Sequence, residues 1–322
     1  MSIVGESDLR PDGPVATIPL MSDASHQPVP DFPRMLAGGP ETLRLSSPGA
    51  WLLVLIVAAV QIATHLTTAS ATNPLDQLTT AAALLIGALL TAALAAHWLG
   101  EPLGVAAGVF QLSGFWALRA FSDSALGEPL VTAAATAMVG LFAVANVPGR
   151  RPSNERFGVR SLFYICSAAL LCLGGLGPWL ALLLASLAYL LWNQDGRAFR
   201  FLVRPAGLAL LVLTAAYVVW RDRPCPSPIT WDWFALVDPW IAMLPWTPLG
   251  VAALAIGCRR GYDAVLFWRL AACWILVPSL LAAGHWFSSR TATAVVIAPL
   301  SVLSAAGFYE IVLSVRSWRH KK

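Results

Sequence analysis

TTAAALLIGALLTAALAAH, residues 79–97, holds no acid, lysine or arginine and closes on a single histidine. A bilayer core of roughly 30 Å takes about 20 apolar residues in a helix. The stretch therefore reads as a transmembrane helix. Working outward, the same reading recurs at about 50–68, 103–118, 129–147, 161–173, 178–192, 205–220, 239–257, 264–284 and 292–313, which gives ten spans joined by short polar loops. Composition agrees: of 322 residues, 57% are hydrophobic and 12% charged, and the mean hydropathy is +0.68. A water-soluble domain of this length carries far more charge. The expected fold is all-α, a polytopic integral membrane protein.

The arginines sort onto alternate loops. Arg150, Arg151, Arg156 and Arg160 share one loop region, Arg197, Arg200 and Arg204 the next but one. Arg259 and Arg260 follow, then Arg316, Arg319, Lys321 and Lys322 at the end. The intervening loops hold Arg119, Arg221, Arg223 and Arg290. Basic residues accumulate on the cytoplasmic side, so both termini are expected in the cytoplasm, with the protein in the plasma (inner) membrane.

Outside the spans, residues 1–48 are rich in Pro, Gly and Ser and lack the basic start and apolar run of a signal peptide. They read as a disordered cytoplasmic tail, followed by a transmembrane domain over 49–315 and a basic tail over 316–322. The net charge of +4 lies in juxtamembrane loops with no interleaved aromatic face. It suits anionic lipid head groups, and no nucleic-acid partner is expected. Cys166, Cys172, Cys258 and Cys273 lie in or beside spans and Cys225 stands in a loop by itself, so no disulfide framework is expected. No metal-ligand spacing occurs, and no cofactor is expected, although a divalent cation would be compatible with the loops.

Chemistry, if present, belongs to the outer loops. The first offers Asn73 and Asp76, and the second, LRAFSDSALGEPL, offers Arg119, Asp123 and Glu128. The long fourth loop carries Asp222, Asp232 and Asp238 among Trp231, Trp233 and Trp240, and the last, GHWFSSRTAT, carries His285, Ser288, Ser289 and Arg290. Carboxylates beside a cation would suit a base acting on a hydroxyl and a clamp on a phosphate. Plainer roles stand beside these. Asp123 and Glu128 could cap the helix that opens at Pro129, and the tryptophans read first as an interfacial belt and second as a sugar-stacking platform. His65 and His97 lie toward span ends and read as hydrated. The small residues of GVAAG, Gly104–Gly108, fit a close helix crossing.

Taken in order, these features resemble glycosyltransferase family 39, which includes lipid A aminoarabinose transferases and protein O-mannosyltransferases of the GT-C superfamily. The resemblance runs over roughly residues 75–306. It rests on the turn His97-Trp98-Leu99-Gly100, on RAFSDSALGEPL with an acid opening the next helix, and on Gly177-Pro178 in LCLGGLGPWLALLL. Pro245-Trp246 and the run Trp274, Pro278, Ser288, Ser289, Pro299 complete it. It implies a polyprenyl-phosphate-linked sugar as donor at the extracytoplasmic face. Asp76, Asp123 or Glu128 would be the catalytic carboxylate, and Arg119, His285, Arg290, Trp231 and Trp233 would contact substrate. Asp123 keeps the spacing from Arg119 and Glu128 stands at the helix start, so the choice between them stays open.

The departures are specific. The first loop is about ten residues with Asp76 as its sole carboxylate, Leu176 stands where the family has a lysine, and the lysine and tyrosine after the Ser-rich turn are missing. Two functions of different class follow: an inverting membrane glycosyltransferase, or a catalytically degenerate relative serving as a non-catalytic subunit beside a membrane-protein partner. A transporter is the weaker third, because the spans lack paired broken helices in two symmetric halves.

Overall fold

A computed structural model describes residues 74–123, 125–146, 153–193, 205–222, 231–257 and 265–319, together with 56 and 59. These residues belong to one compact unit, 35–322. The expected tail over 1–48, His65 and nearly all of the first span lie outside the described residues. What is described is helical, with no strand. In chain order the helices are α1 Pro74–Leu99, α2 Glu101–Ser113, α3 Phe115–Ser122, α4 Gly127–Asn146, α5 Ser153–Gly174 and α6 Leu176–Asn193. Then come α7 Pro205–Asp222, α8 Phe234–Ala242, α9 Thr247–Gly257, α10 Val265–Ala283 and α11 Ser289–Arg319.

Four segments are long and apolar enough to cross a membrane: Leu75–His97, Gly127–Val144, Leu176–Asn193 and Ser289–Val312. The pair α2 and α3, bent by 47°, is apolar enough to be a fifth, as a broken span or a re-entrant loop, and shorter apolar helices cover Gly158–Gly174, Gly207–Arg221 and Trp268–Ala283. Two expected spans are not single rods. The stretch 103–118 breaks at Gly114, whose ψ of 153° is extended rather than helical. The stretch 239–257 breaks over Met243–Trp246, where Pro245 has no N–H to continue a helix. The two breaks dock on each other: the Phe115 N–H donates to the Leu244 carbonyl at 3.0 Å, and the Trp246 indole donates to Ser113 Oγ at 3.0 Å. The Phe110 and Trp246 rings stack at 4.2 Å.

Glycines set the tight places. Gly100 (φ 92°) and Gly175 (φ 80°) adopt left-handed backbone that side chains resist, which turns α1 into α2 and α5 into α6. A Cβ on Gly104 would meet the Ala92 carbonyl at 2.5 Å, so α1 and α2 pack backbone to backbone there. This is the close crossing that GVAAG leads one to expect.

α11 is the central post, packed against α1, α2, α4, α6, α8, α9 and α10 and buried from Ala292 to Gly307. Pro299 cannot donate to the carbonyl four residues back, that of Val295. The Trp274 indole of α10 supplies the missing donor at 3.0 Å, within the core. One helix's proline is thus satisfied by its neighbour's tryptophan.

Candidate active site at one end of the bundle

The second, third, fourth and last loops of the predicted outer side meet at one end of the bundle. A Cβ on Gly174 would lie 3.4 Å from the Val131 side chain, near the start of α4. A Cβ on Gly177 would lie 2.8 Å from Phe287, in the turn before α11. The Asp232 N–H donates to the Ala283 carbonyl at the end of α10 (2.9 Å), while its own carboxylate accepts from the Phe234 N–H at 3.0 Å.

Glu128 is the centre of this end. It sits in the first turn of α4, half-buried, and the charges that act on its carboxyl are those of Arg290, Arg119 and Asp123, none of them in an ion pair with it. The Trp116 indole N–H is buried beside it without reaching hydrogen-bond geometry. Thr132, one turn further in, ties the site to the post, its hydroxyl lying 2.6 Å from the Ala294 carbonyl and 3.1 Å from that of Glu128. Arg290 is exposed in the first turn of α11 and takes part in no ion pair among the described residues. The N-termini of α4 and α11 both open toward this cluster, and their unpaired N–H groups favour negative charge.

Asp123 does different work. It ends α3, its backbone N–H donating to the Arg119 carbonyl at 2.9 Å, and its carboxylate lies 3.7 Å from Arg119 Nε with both side chains exposed. Such an exposed i,i+4 pair contributes little to stability. Of the two acids that the spacing leaves open, Glu128 opens α4 and is removed from water, while Asp123 is a solvated cap on α3.

Asp76 stands apart from them. It lies in the first turn of α1 rather than in a loop and is exposed, and its backbone carbonyl accepts from the Thr79 and Thr80 hydroxyls (2.9 and 2.8 Å). Gly87 lies against Thr132 and Ala133, and Leu94 against Gly140, so α1 and α4 run parallel with a fixed offset. Glu128 is then level with about residue 82 of α1, which leaves Asp76 roughly 10 Å further along the axis. It is not among the charges that act on Glu128.

His285 is exposed at φ 59°, in the left-handed position after α10 that glycine usually fills. The His285 and Trp286 N–H groups close the helix onto the Ala282 and Leu281 carbonyls at 2.9 and 3.1 Å. Ser288 caps α11, its Oγ accepting from the Thr291 N–H at 3.2 Å. Trp231 and Trp233 are 59% and 67% exposed and stack on each other at 5.9 Å, free to meet lipid or a sugar ring. Leu176 is exposed at the start of α6, just after the Gly175 turn. His97 is exposed near the end of α1.

Two residues take places at this end that the sequence reading did not give them. Trp116 lies on an apolar run and shows its importance only through Glu128. Arg221, at the end of α7, donates to the Cys172 carbonyl near the α5–α6 turn at 3.4 Å. Among the described residues, no three His, Cys, Asp or Glu side chains gather to hold a metal.

No family model matches the chain, and no curated protein matches it. Among solved structures, ArnT from Cupriavidus metallidurans in the apo state superposes with a TM-score of 0.59 at 15% identity. The match covers 83% of this chain and 50% of that one, so this chain spans about half of that protein's length. Its fold is GT-C-like. The chain's own long apolar helices make it a multi-pass membrane protein, and the fold is the one that the resemblance in its motifs leads one to expect.

Proposed function

We propose that this protein is a GT-C-type membrane glycosyltransferase that takes a sugar from a polyprenyl-phosphate donor at the extracytoplasmic face of the inner membrane. The observation that carries the reading is a half-buried Glu128 whose carboxyl feels the charges of Arg290 and Arg119 without forming an ion pair with either, at one end of a GT-C-like bundle. Two helix N-termini face the same place. In the proposed step an acceptor hydroxyl attacks the anomeric carbon, the bond from that carbon to the phosphate oxygen breaks, and configuration inverts. Glu128 takes the hydroxyl proton. Arg290, held in no ion pair among the described residues, meets the charge that develops on the departing polyprenyl phosphate. The stacked Trp231 and Trp233 offer a face for a sugar ring.

The test is release of polyprenyl phosphate from a panel of lipid-linked sugars by membranes holding the full chain. Glu128→Gln is expected to cut the rate 10²–10⁴-fold, the usual contribution of a general base. Asp123→Asn is expected to stay within about tenfold, because it removes only an exposed pair. Full activity of Glu128→Gln would remove that residue from the mechanism.

Leu176 supports a second reading. An exposed apolar residue occupies the turn where the family resemblance places a lysine, and with it goes one phosphate contact. In that case the chain is a non-catalytic subunit in complex with a membrane-protein partner. Lack of turnover by the unmodified protein on every donor would favour it.

A further inference from the structure

Below Glu128 the bundle buries polar atoms that the protein does not satisfy. Gln111 of α2 is 1% exposed, and neither its Oε1 nor its Nε2 has a hydrogen-bond partner among protein groups. Thr91 of α1 is 0% exposed, and its Oγ1 is in the same position. Leaving three such atoms dry in an apolar core is costly, and native interiors pair nearly all of theirs.

The two residues belong to neighbouring turns of one seam. A Cβ on Gly87 would lie 3.4 Å from Gln111 Nε2, 3.8 Å from the Thr132 methyl and 3.9 Å from the Ala133 N, so Gly87 faces the seam between α2 and α4. Thr91 follows Gly87 by four residues and so lies on the same face, about 6 Å further in. The absent side chain at position 87 keeps space open beside the amide. Thr132 forms the wall toward Glu128, its hydroxyl already engaged by two carbonyls.

We infer that the α1–α2–α4 seam is a binding site for structural water, with Gln111 and Thr91 as its polar lining and Gly87 as its cradle. A seam closed to solvent and lined by an amide and a hydroxyl suits a water, which typically makes about three hydrogen bonds when buried. An amide with one donor face and one acceptor face, next to a hydroxyl that can do either, meets that need. The site is distinct from the Glu128 cluster and does not depend on any transfer activity.

The test is a double-mutant cycle on the full chain in detergent, with Thr91→Val, Gln111→Leu and the pair, followed by melting temperature. If the residues share water, each single variant strands its partner's hydrogen bonds, and the melting temperature falls by about 2–4 °C per kcal/mol lost. The pair then falls no further than the worse single variant. Single variants that raise the melting temperature additively would mean dry, unpaired groups, and would overturn the inference. A density map fine enough to show ordered water supplies the second readout. Water within hydrogen-bond distance of Gln111 is expected, and a Gln111 amide bonded directly to Thr91 would overturn the inference even if the cycle showed coupling.

Discussion

A half-buried carboxylate is a different reagent from an exposed one, and Glu128 and Asp123 show it within one loop. Five residues apart, one is drawn between two helix N-termini and the other closes a helix in water. If Arg290 answers the donor phosphate, its charge and its fork geometry are both in use. Arg290→Ala is expected to lower kcat/KM by one to two orders of magnitude in the polyprenyl-phosphate release assay, roughly the 1.5–3 kcal/mol of a hydrogen bond to a charged group. Arg290→Lys should recover only part of that loss, since a lysine is a point charge. Equal activity of both variants with the unmodified protein would remove Arg290 from the phosphate site. His285 separates structure from chemistry in another way. Its left-handed backbone costs a side chain roughly 1 kcal/mol, so His285→Gly should leave the melting temperature unchanged or raise it. A loss of activity in that variant would then report the imidazole itself.

At the scale of the helix, proline and glycine do their work through neighbours. Pro299 frees the Val295 carbonyl, and the Trp274 indole takes it up. Trp274→Phe keeps most of the ring and strands that carbonyl, at a cost of about 1–3 kcal/mol, and should lower the melting temperature by several degrees. An unchanged value would mean that the carbonyl finds another donor. Gly104→Ala places a methyl on the Ala92 carbonyl and should force α1 and α2 apart, with a larger fall. The helices themselves were legible: every apolar stretch from residue 79 onward is helical, because burial in lipid demands it. The breaks were only half legible. Gly114 and Pro245 are visible as residues, but a glycine in a membrane helix is common, and whether the chain bends there depends on what docks against it. Here that is the other break. The candidate site was legible as a set of loop residues and not as a geometry. Nothing in the spacing joins Arg290 to Glu128 across half of the chain, separates Asp76 from them, or marks Gln111 as unpaired.

Over the whole molecule, the loops that gather around Glu128 are those that the arginine bias assigns to one side. The start of α4, the α5–α6 turn, the Trp231–Trp233 turn and the α10–α11 turn touch one another, so they share an end of the bundle whatever the membrane does. Which compartment that end faces is a separate matter, and charge decides it. The loops that the sequence assigns to this side hold Arg119, Arg221, Arg223 and Arg290, while those it assigns to the other side hold the arginine clusters. Each basic residue near an anionic leaflet contributes about 1 kcal/mol, and the clusters sit within short loops where the bias is effective. The proposed site should therefore face away from the cytoplasm, with both termini within it. Reporter fusions that are active only outside the cytoplasm, placed after residue 229 and after residue 155, should read on and off respectively. A fusion after residue 322 should read off. If 155 and 229 report the same side, the alternation of loops fails and with it the membrane placement of Glu128. If they report opposite sides with the signs exchanged, the geometry of the site stands while the donor must be one presented to the cytoplasmic leaflet, and the polyprenyl-phosphate proposal would have to be tested there.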